Sequence, residues 1–211
     1  MVNIGIEGRV CSGKTTLLES CQRDGLFTIE EYREYVLRAS KTFAKFPPVS
    51  ADQAKKNFLD LLEIEKARLK VRQREPKRLA VLDRSIFTLV SFEAGASQLS
   101  GINIFGWALE EVLKNRDQVI WPDEVVYLDT SANEAKRRAE IAGMGTSLFL
   151  FDERFNDGVR QAFEVFESQE LTTVNFIDGE RDRGIVYRDF WAYLMTQTRV
   201  ASLSKAGISP V

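Results

Sequence analysis

Histidine is absent from this chain of 211 residues, which removes imidazole general bases, histidine-containing triads and most catalytic zinc sites. Acid–base work must therefore fall to Asp, Glu, Lys or Tyr. Cysteine is scarce: Cys11 and Cys21 are the whole complement, too few for a four-cysteine zinc site or a disulfide framework. No run of 18 or more apolar residues occurs, so no membrane span is expected. The opening Met1-Val2-Asn3-Ile4-Gly5 has no positively charged leader, so the expected compartment is the cytoplasm, where both thiols stay reduced. An excess of positive charge is missing too. The 29 Lys and Arg are offset by 31 Asp and Glu, and no global field exists to hold nucleic acid.

What remains is the composition of an ordinary globular protein, 44 % hydrophobic and 28 % charged, at a length suited to one domain spanning 1–211. Short apolar or β-branched runs recur at Val2 to Ile6, Leu26 to Ile29, Leu79 to Leu82, Val125 to Leu128 and Thr173 to Ile177. Helical patterns lie between them, and the alternation predicts an α/β fold around a buried parallel sheet. One helix runs from about Thr15 to Asp24 and is closed by Gly25. Capping boxes at Ser50/Gln53 and Ser131/Glu134 open two more. The first of these carries Phe58, Leu61, Leu62 and Leu69 on a stripe towards Arg74, before Pro76 ends it. Phe155, Val159, Ala162, Phe163 and Phe166 give the clearest amphipathic pattern, and Val186, Tyr187, Phe190, Trp191 and Leu194 mark a last helix. The tail, about 200–211, is expected to fray. Ser40 to Val49 and a segment at about 142–152, with Gly143 and Gly145, read as mobile loops, where closure over a substrate usually resides.

Gly8-Arg9-Val10-Cys11-Ser12-Gly13-Lys14-Thr15 fits G-x-x-x-x-G-K-[ST], directly after a predicted strand and at the start of a predicted helix. The glycines let the chain curl until successive N–H groups point at one phosphate, and the helix adds its positive end. Lys14 would reach the β- and γ-phosphates and the Thr15 hydroxyl would ligate Mg²⁺. Gly8 through Thr15, with Thr16, thus form a candidate site for ATP or another nucleoside triphosphate. A regulatory GTPase is disfavoured because no N-K-x-D is present, and an ABC-type ATPase because Leu99-Ser100-Gly101-Ile102 stops short of the required signature.

At the end of the third strand stands Asp83-Arg84-Ser85, where an open parallel sheet places ligand groups. Asp83 could hold Mg²⁺ through its waters, and Arg84 could clamp an acceptor in line with the γ-phosphate. After the second strand come Glu30 and Glu31, one of which would accept a proton from an attacking hydroxyl.

With these elements in hand, the chain resembles the deoxynucleoside kinase and thymidylate kinase group of P-loop kinases. The resemblance rests on Ile6-Glu7-Gly8 with Ser12 to Leu18, on Asp83-Arg84-Ser85-Ile86, and on Trp121-Pro122-Asp123 through Val126-Tyr127-Leu128-Asp129. It implies a P-loop three-layer sandwich: a five-stranded parallel sheet in the order 2-3-1-4-5, helices on both faces and a lid. It also implies transfer of the γ-phosphoryl group of ATP to a nucleoside hydroxyl or to a nucleoside monophosphate, the nucleoside being the acceptor expected first and the monophosphate the alternative. By position Glu30 would face the acceptor hydroxyl, with Glu31 the alternative, Arg84 would flank the acceptor, and Arg138 or Arg137 would serve the base of the lid. A homodimer is compatible with the resemblance. Two departures stand out. The lid segment Gly143-Met144-Gly145-Thr146-Ser147 carries no arginine, leaving Arg137, Arg138, Arg154 or Arg160 to neutralise charge, and the base-reading glutamine has no clear counterpart on the helix from Ser50 to Arg74. The rival reading from another class is a nucleotide-dependent switch that a partner recognises.

Overall fold

The computed structural model describes residues 2–38, 46–75 and 79–205, with side chains described to residue 196. Part of the Ser40 to Val49 loop, Pro76, and the tail beyond Lys205 lie outside the described residues.

Five strands, β1 (Val2–Glu7), β2 (Phe27–Ile29), β3 (Leu79–Asp83), β4 (Glu124–Asp129) and β5 (Thr173–Asp178), form one parallel sheet in the order β2-β3-β1-β4-β5. The order implied by the resemblance is the order observed. β1 is central, pairing Ile6 with Asp83 on one side and with Val126 on the other. The carboxyl ends of β1, β3 and β4 therefore lie side by side, and the loops that leave them share one crevice.

Helices α1 (Lys14–Arg23) and α8 (Arg183–Lys205) cover one face. There Ile4, Ile6, Val126 and Leu128 meet Leu17, Leu18, Phe190 and Leu194 in an aliphatic core. On the other face lie α3 (Ala51–Arg74), α4 (Ile86–Ser100), α5 (Phe105–Lys114) and α7 (Glu153–Ser168), around Phe58, Phe87, Phe155, Phe163 and Phe166. α2 (Tyr32–Arg38) follows β2 directly, and α6 (Ala132–Ile141) follows β4.

α4 and α5 lie beyond the helices that the sequence pattern predicts. α4 is apolar on nearly every side, with Ile86, Phe87, Leu89, Val90 and Ala96 all buried, so no single stripe betrays it. It lies so close to α7 that a Cβ on Gly95 would sit 2.7 Å from the Phe155 carbonyl oxygen, and one on Gly158 2.9 Å from that of Ala94. Segment 142–152 is irregular up to a short 3₁₀ turn, Phe149–Phe151, and ends at Asp152, whose side chain caps α7. α8 continues through Lys205, past the point where fraying is expected.

Candidate active site

The phosphate loop begins where β1 ends. Gly8 has φ 132°, and a Cβ there would fall 2.5 Å from the Leu128 carbonyl oxygen, so the turn away from the sheet needs a residue without one. Gly13, φ 101°, precedes α1 with no side-chain cap, leaving the first-turn N–H groups of α1 for an anion. Lys14 folds back over the loop, donating to the carbonyl oxygens of Gly8 (3.0 Å) and Arg9 (2.7 Å) and to Ser12 Oγ (3.3 Å). Burial, reinforced by Arg84, holds its ammonium well below the ordinary lysine range, while Asp83, Glu31 and Glu7 oppose the shift. Arg9, Val10 and Thr16 are half-buried and Thr15 is exposed. Cys11, at φ 59°, brings its sulfur to 3.8 Å from that of Met144 in segment 142–152. Burial pushes its thiol up, which removes thiolate character.

Facing this loop is a corner built from three strand ends. Glu7, the last residue of β1, is 1 % exposed and accepts three hydrogen bonds: from Ser85 N and Oγ, both at 2.7 Å, and from Thr88 Oγ1 at 2.6 Å. It thereby ties the start of α4 to the phosphate loop. Arg84 adopts φ 61°, a conformation uncommon for a side-chain-bearing residue, and its N–H donates to the Ile6 carbonyl at 3.2 Å. Its Nε donates to Glu31 Oε1 at 3.0 Å, another guanidinium nitrogen lies 4.0 Å from Glu7 Oε2, and the guanidinium carbon sits 5.4 Å from the centre of the Phe92 ring. Burial and the charge of Glu31 push the Asp83 carboxyl up, against the pull of Lys14, Arg84 and Arg68.

Of the two glutamates after β2, Glu31 is the one at this corner. Glu30 instead pairs with Arg38 at 2.5 Å, both side chains exposed. Of the two placements expected from the sequence, the geometry brings the alternative, Glu31, to Arg84 and leaves Glu30 away from it. The reason is local: β2 stops at Ile29 and α2 starts at Tyr32, so the chain turns between the two carboxylates.

The arginines separate in the same way. Arg138 donates to Glu134 at 2.7 Å and to the Gly179 carbonyl at 2.8 Å, with its third nitrogen 3.4 Å from the carbonyls of Cys11 and Ser12. Arg137 makes a two-pronged pair with Glu134, on the exposed side of α6 and away from the loop. Arg154 is held by Asp152, and Arg160 by Asp129 and Glu164. Among the four candidates for charge neutralisation, Arg138 alone contacts the phosphate loop in the described contacts.

Sequence reasoning missed Glu7 as a site residue and Arg68 altogether. Arg68, on α3, donates to the carbonyl oxygens of Asp83 (3.1 Å) and Arg84 (2.8 Å). Its signal was present: Phe58, Leu62, Glu65 and Arg68 share the buried face of α3, so two opposite charges sit on an apolar stripe.

No cluster of three or more His, Cys, Asp or Glu suited to a metal occurs among the described residues. Mg²⁺ does not require one, since it retains waters and substrate phosphates and takes one or two protein oxygens. The hydroxyl of Thr15 and the carboxylate of Asp83 are hard oxygen donors of that kind.

No protein-family model and no curated protein matches the chain. Solved structures do. A deoxyadenosine kinase from M. mycoides, with dCMP and a flexible dCDP bound, superimposes with a TM-score of 0.66 at 17 % identity, covering 92 % of this chain and all (100 %) of that one. The same kinase with dATP gives 0.64 at 18 %, over 92 % and 99 % of the two chains, and with dCTP 0.65 at 16 %, over 92 % and 100 %. At this level of identity the likeness establishes a shared fold, the P-loop kinase fold with sheet order 2-3-1-4-5.

Proposed function

We propose that the chain is a single kinase domain that transfers the γ-phosphoryl group of ATP to the hydroxyl of a small acceptor, a nucleoside. The observation that carries this reading is the placement of Glu31, Asp83 and Arg84 against the phosphate loop, coupled to Lys14 through their charges. A nucleotide switch has no use for an acceptor corner, whereas a phosphotransferase needs a carboxylate, a fixed cation and a phosphate cradle around one reaction line. The deoxynucleotides bound by kinases of the same fold support a nucleoside as the acceptor.

The corner favours a hydroxyl over a phosphate monoester. Arg84 is already paired with Glu31, and Glu7 and Asp83 add two more carboxyl groups. A dianionic acceptor would meet repulsion there, and a neutral alcohol would meet a proton acceptor.

In this reading the loop N–H groups and the start of α1 hold the β- and γ-phosphates. Lys14 exchanges the carbonyls of Gly8 and Arg9 for phosphate oxygens. Glu31 takes the proton of the acceptor hydroxyl as its oxygen bonds to the γ-phosphorus, the bond to the bridging oxygen breaks, and ADP leaves. Arg84 stabilises charge on the transferred group. Thr15, and through waters Asp83, would hold a Mg²⁺ ion, whose charge would offset the negative charge that develops on the transferred group. Arg138 braces the loop from behind. The same reading makes the cytoplasm, rich in ATP and reducing to Cys11 and Cys21, the working compartment, and leaves a homodimer as the assembly to seek by sedimentation.

Release of ADP, screened with nucleosides, nucleoside monophosphates and small alcohols, tests the proposal. Stimulation by a nucleoside is expected. Stimulation by monophosphates alone would replace the acceptor class, and stimulation by none of them would overturn the kinase reading.

A further inference from the structure

Outside the phosphate loop, Arg68 is a fully buried charge that the mechanism above does not use. It is 0 % exposed, midway along α3, and donates one terminal nitrogen to Glu65 at 2.7 Å and the other to the backbone carbonyls of Asp83 and Arg84. Its guanidinium carbon lies 4.3 Å from the centre of the Tyr32 ring, and Tyr32 is the residue after Glu31. The second oxygen of Glu65 accepts the Ile120 N–H at 3.2 Å. One side chain thus touches both segments that carry the acceptor corner, the end of β3 and the start of α2.

Stability alone is a poor reason for this arrangement, because apolar residues of similar volume often replace a buried ion pair without loss. The backbone supplies a better one. Arg84 sits at φ 61°, and such a residue persists only when its surroundings over-determine it. Glu7 holds the chain just beyond it through Ser85 and Thr88, and the Arg84 carbonyl itself is held by Arg68.

We propose that Arg68 is a positioning residue for acceptor phosphorylation. By gripping the carbonyls of Asp83 and Arg84 while lying on Tyr32, it fixes how Glu31 and Arg84 stand to one another and hence how the acceptor hydroxyl is aligned. A lysine cannot do the same, since a single ammonium lacks the planar fork that serves a carboxylate and two carbonyls at once. The proposal rests on the kinase reading above.

Two variants of the full chain test it, Arg68→Lys and the double variant Glu65→Gln/Arg68→Met, the second leaving no unpaired buried carboxylate and keeping an acceptor for the Ile120 N–H. With the acceptor identified in the screen, kcat/KM for that acceptor should fall about a hundredfold, as for a misplacement near 1 Å. The loss should appear as a raised acceptor KM together with a lowered kcat, while KM for ATP stays within about twofold of wild type. Far-ultraviolet circular dichroism and the melting curve establish that each variant is folded, and if the double variant does not fold, Arg68→Lys decides. Wild-type kinetics in a folded variant, or parallel changes in the two KM values, would overturn the assignment. A wild-type protein that phosphorylates nothing would sink the kinase reading instead, so the two failures are distinguishable.

Discussion

The phosphate loop and the acceptor corner hold their groups by different physics. The loop is eight consecutive residues that would hold phosphate largely through backbone N–H groups, with one buried lysine donating to the loop's own carbonyls. The corner has no such continuity. It draws Glu7 from β1, Glu31 from beyond β2, Asp83 and Arg84 from the end of β3 and Arg68 from α3, and paired opposite charges, buried except for the half-exposed Glu31, hold it together. A backbone cradle tolerates most side-chain changes because few side chains take part. A corner of paired charges is fragile, since removing one partner leaves the other buried and uncompensated. Damage should therefore spread from residue to residue in the corner and stay local in the loop.

The largest effect should come from the loop's one indispensable side chain. Lys14→Ala is expected to lower turnover by about a thousandfold or more at saturating ATP while leaving acceptor affinity nearly unchanged, as measured by steady-state kinetics and equilibrium binding of the acceptor. A large loss of acceptor affinity would mean that the two regions are one electrostatic unit. Arg84→Lys comes next, with a fall in kcat of roughly a hundredfold as the oriented donor is lost. Near-normal turnover would show that Arg84 only balances charge. Glu31→Gln should cost about tenfold to a hundredfold in kcat, whereas Glu30→Gln should remain within about twofold. Reversal of that ranking would return the acceptor-facing role to Glu30.

The smallest effect concerns a carboxyl outside the comparison, useful because it lacks what the corner possesses. Glu93 on α4 is 5 % exposed, its Oε2 has no hydrogen-bond partner among the described residues, and burial pushes its pKa from 4.5 up to about 7. Between those two values the folded chain keeps a proton that the unfolded chain has released. Stability therefore falls as pH rises through this window and levels off above it. Glu93→Gln should match wild type near pH 4 and melt higher at pH 8, by up to about 3 kcal/mol or several degrees. Equal melting temperatures at both pH values would show that Glu93 finds a partner in solution.

The same contrast explains what could be read in the residues alone. The loop was legible because its chemistry is contiguous and its strand and helix neighbours announce themselves. The run Asp83-Arg84-Ser85 marked the corner, but the choice between Glu30 and Glu31 turned on where β2 stops, and an element boundary shifts easily by one residue. Arg68 and Glu65 occupy apolar-stripe positions on α3, and their role depends on contacts with β3 fifteen residues further on, which no periodicity encodes. α4 was hidden for the opposite reason: buried among the sheet, α5 and α7, it has no polar face to set its period.

Segment 142–152 touches the rest of the protein mainly through soft contacts. Met144 meets the Cys11 sulfur, while Phe149 lies with its ring centre 4.5 Å from that of Phe46 and 5.1 Å from that of Phe155. Among the described residues, nothing from Ala142 through Phe151 forms an ion pair. Closure of this segment over a bound nucleotide would then be almost blind to ionic strength, because dissolved salt screens charges and leaves thioether and ring contacts intact. Salt should weaken the pairing of Glu31 with Arg84 well before it loosens these contacts.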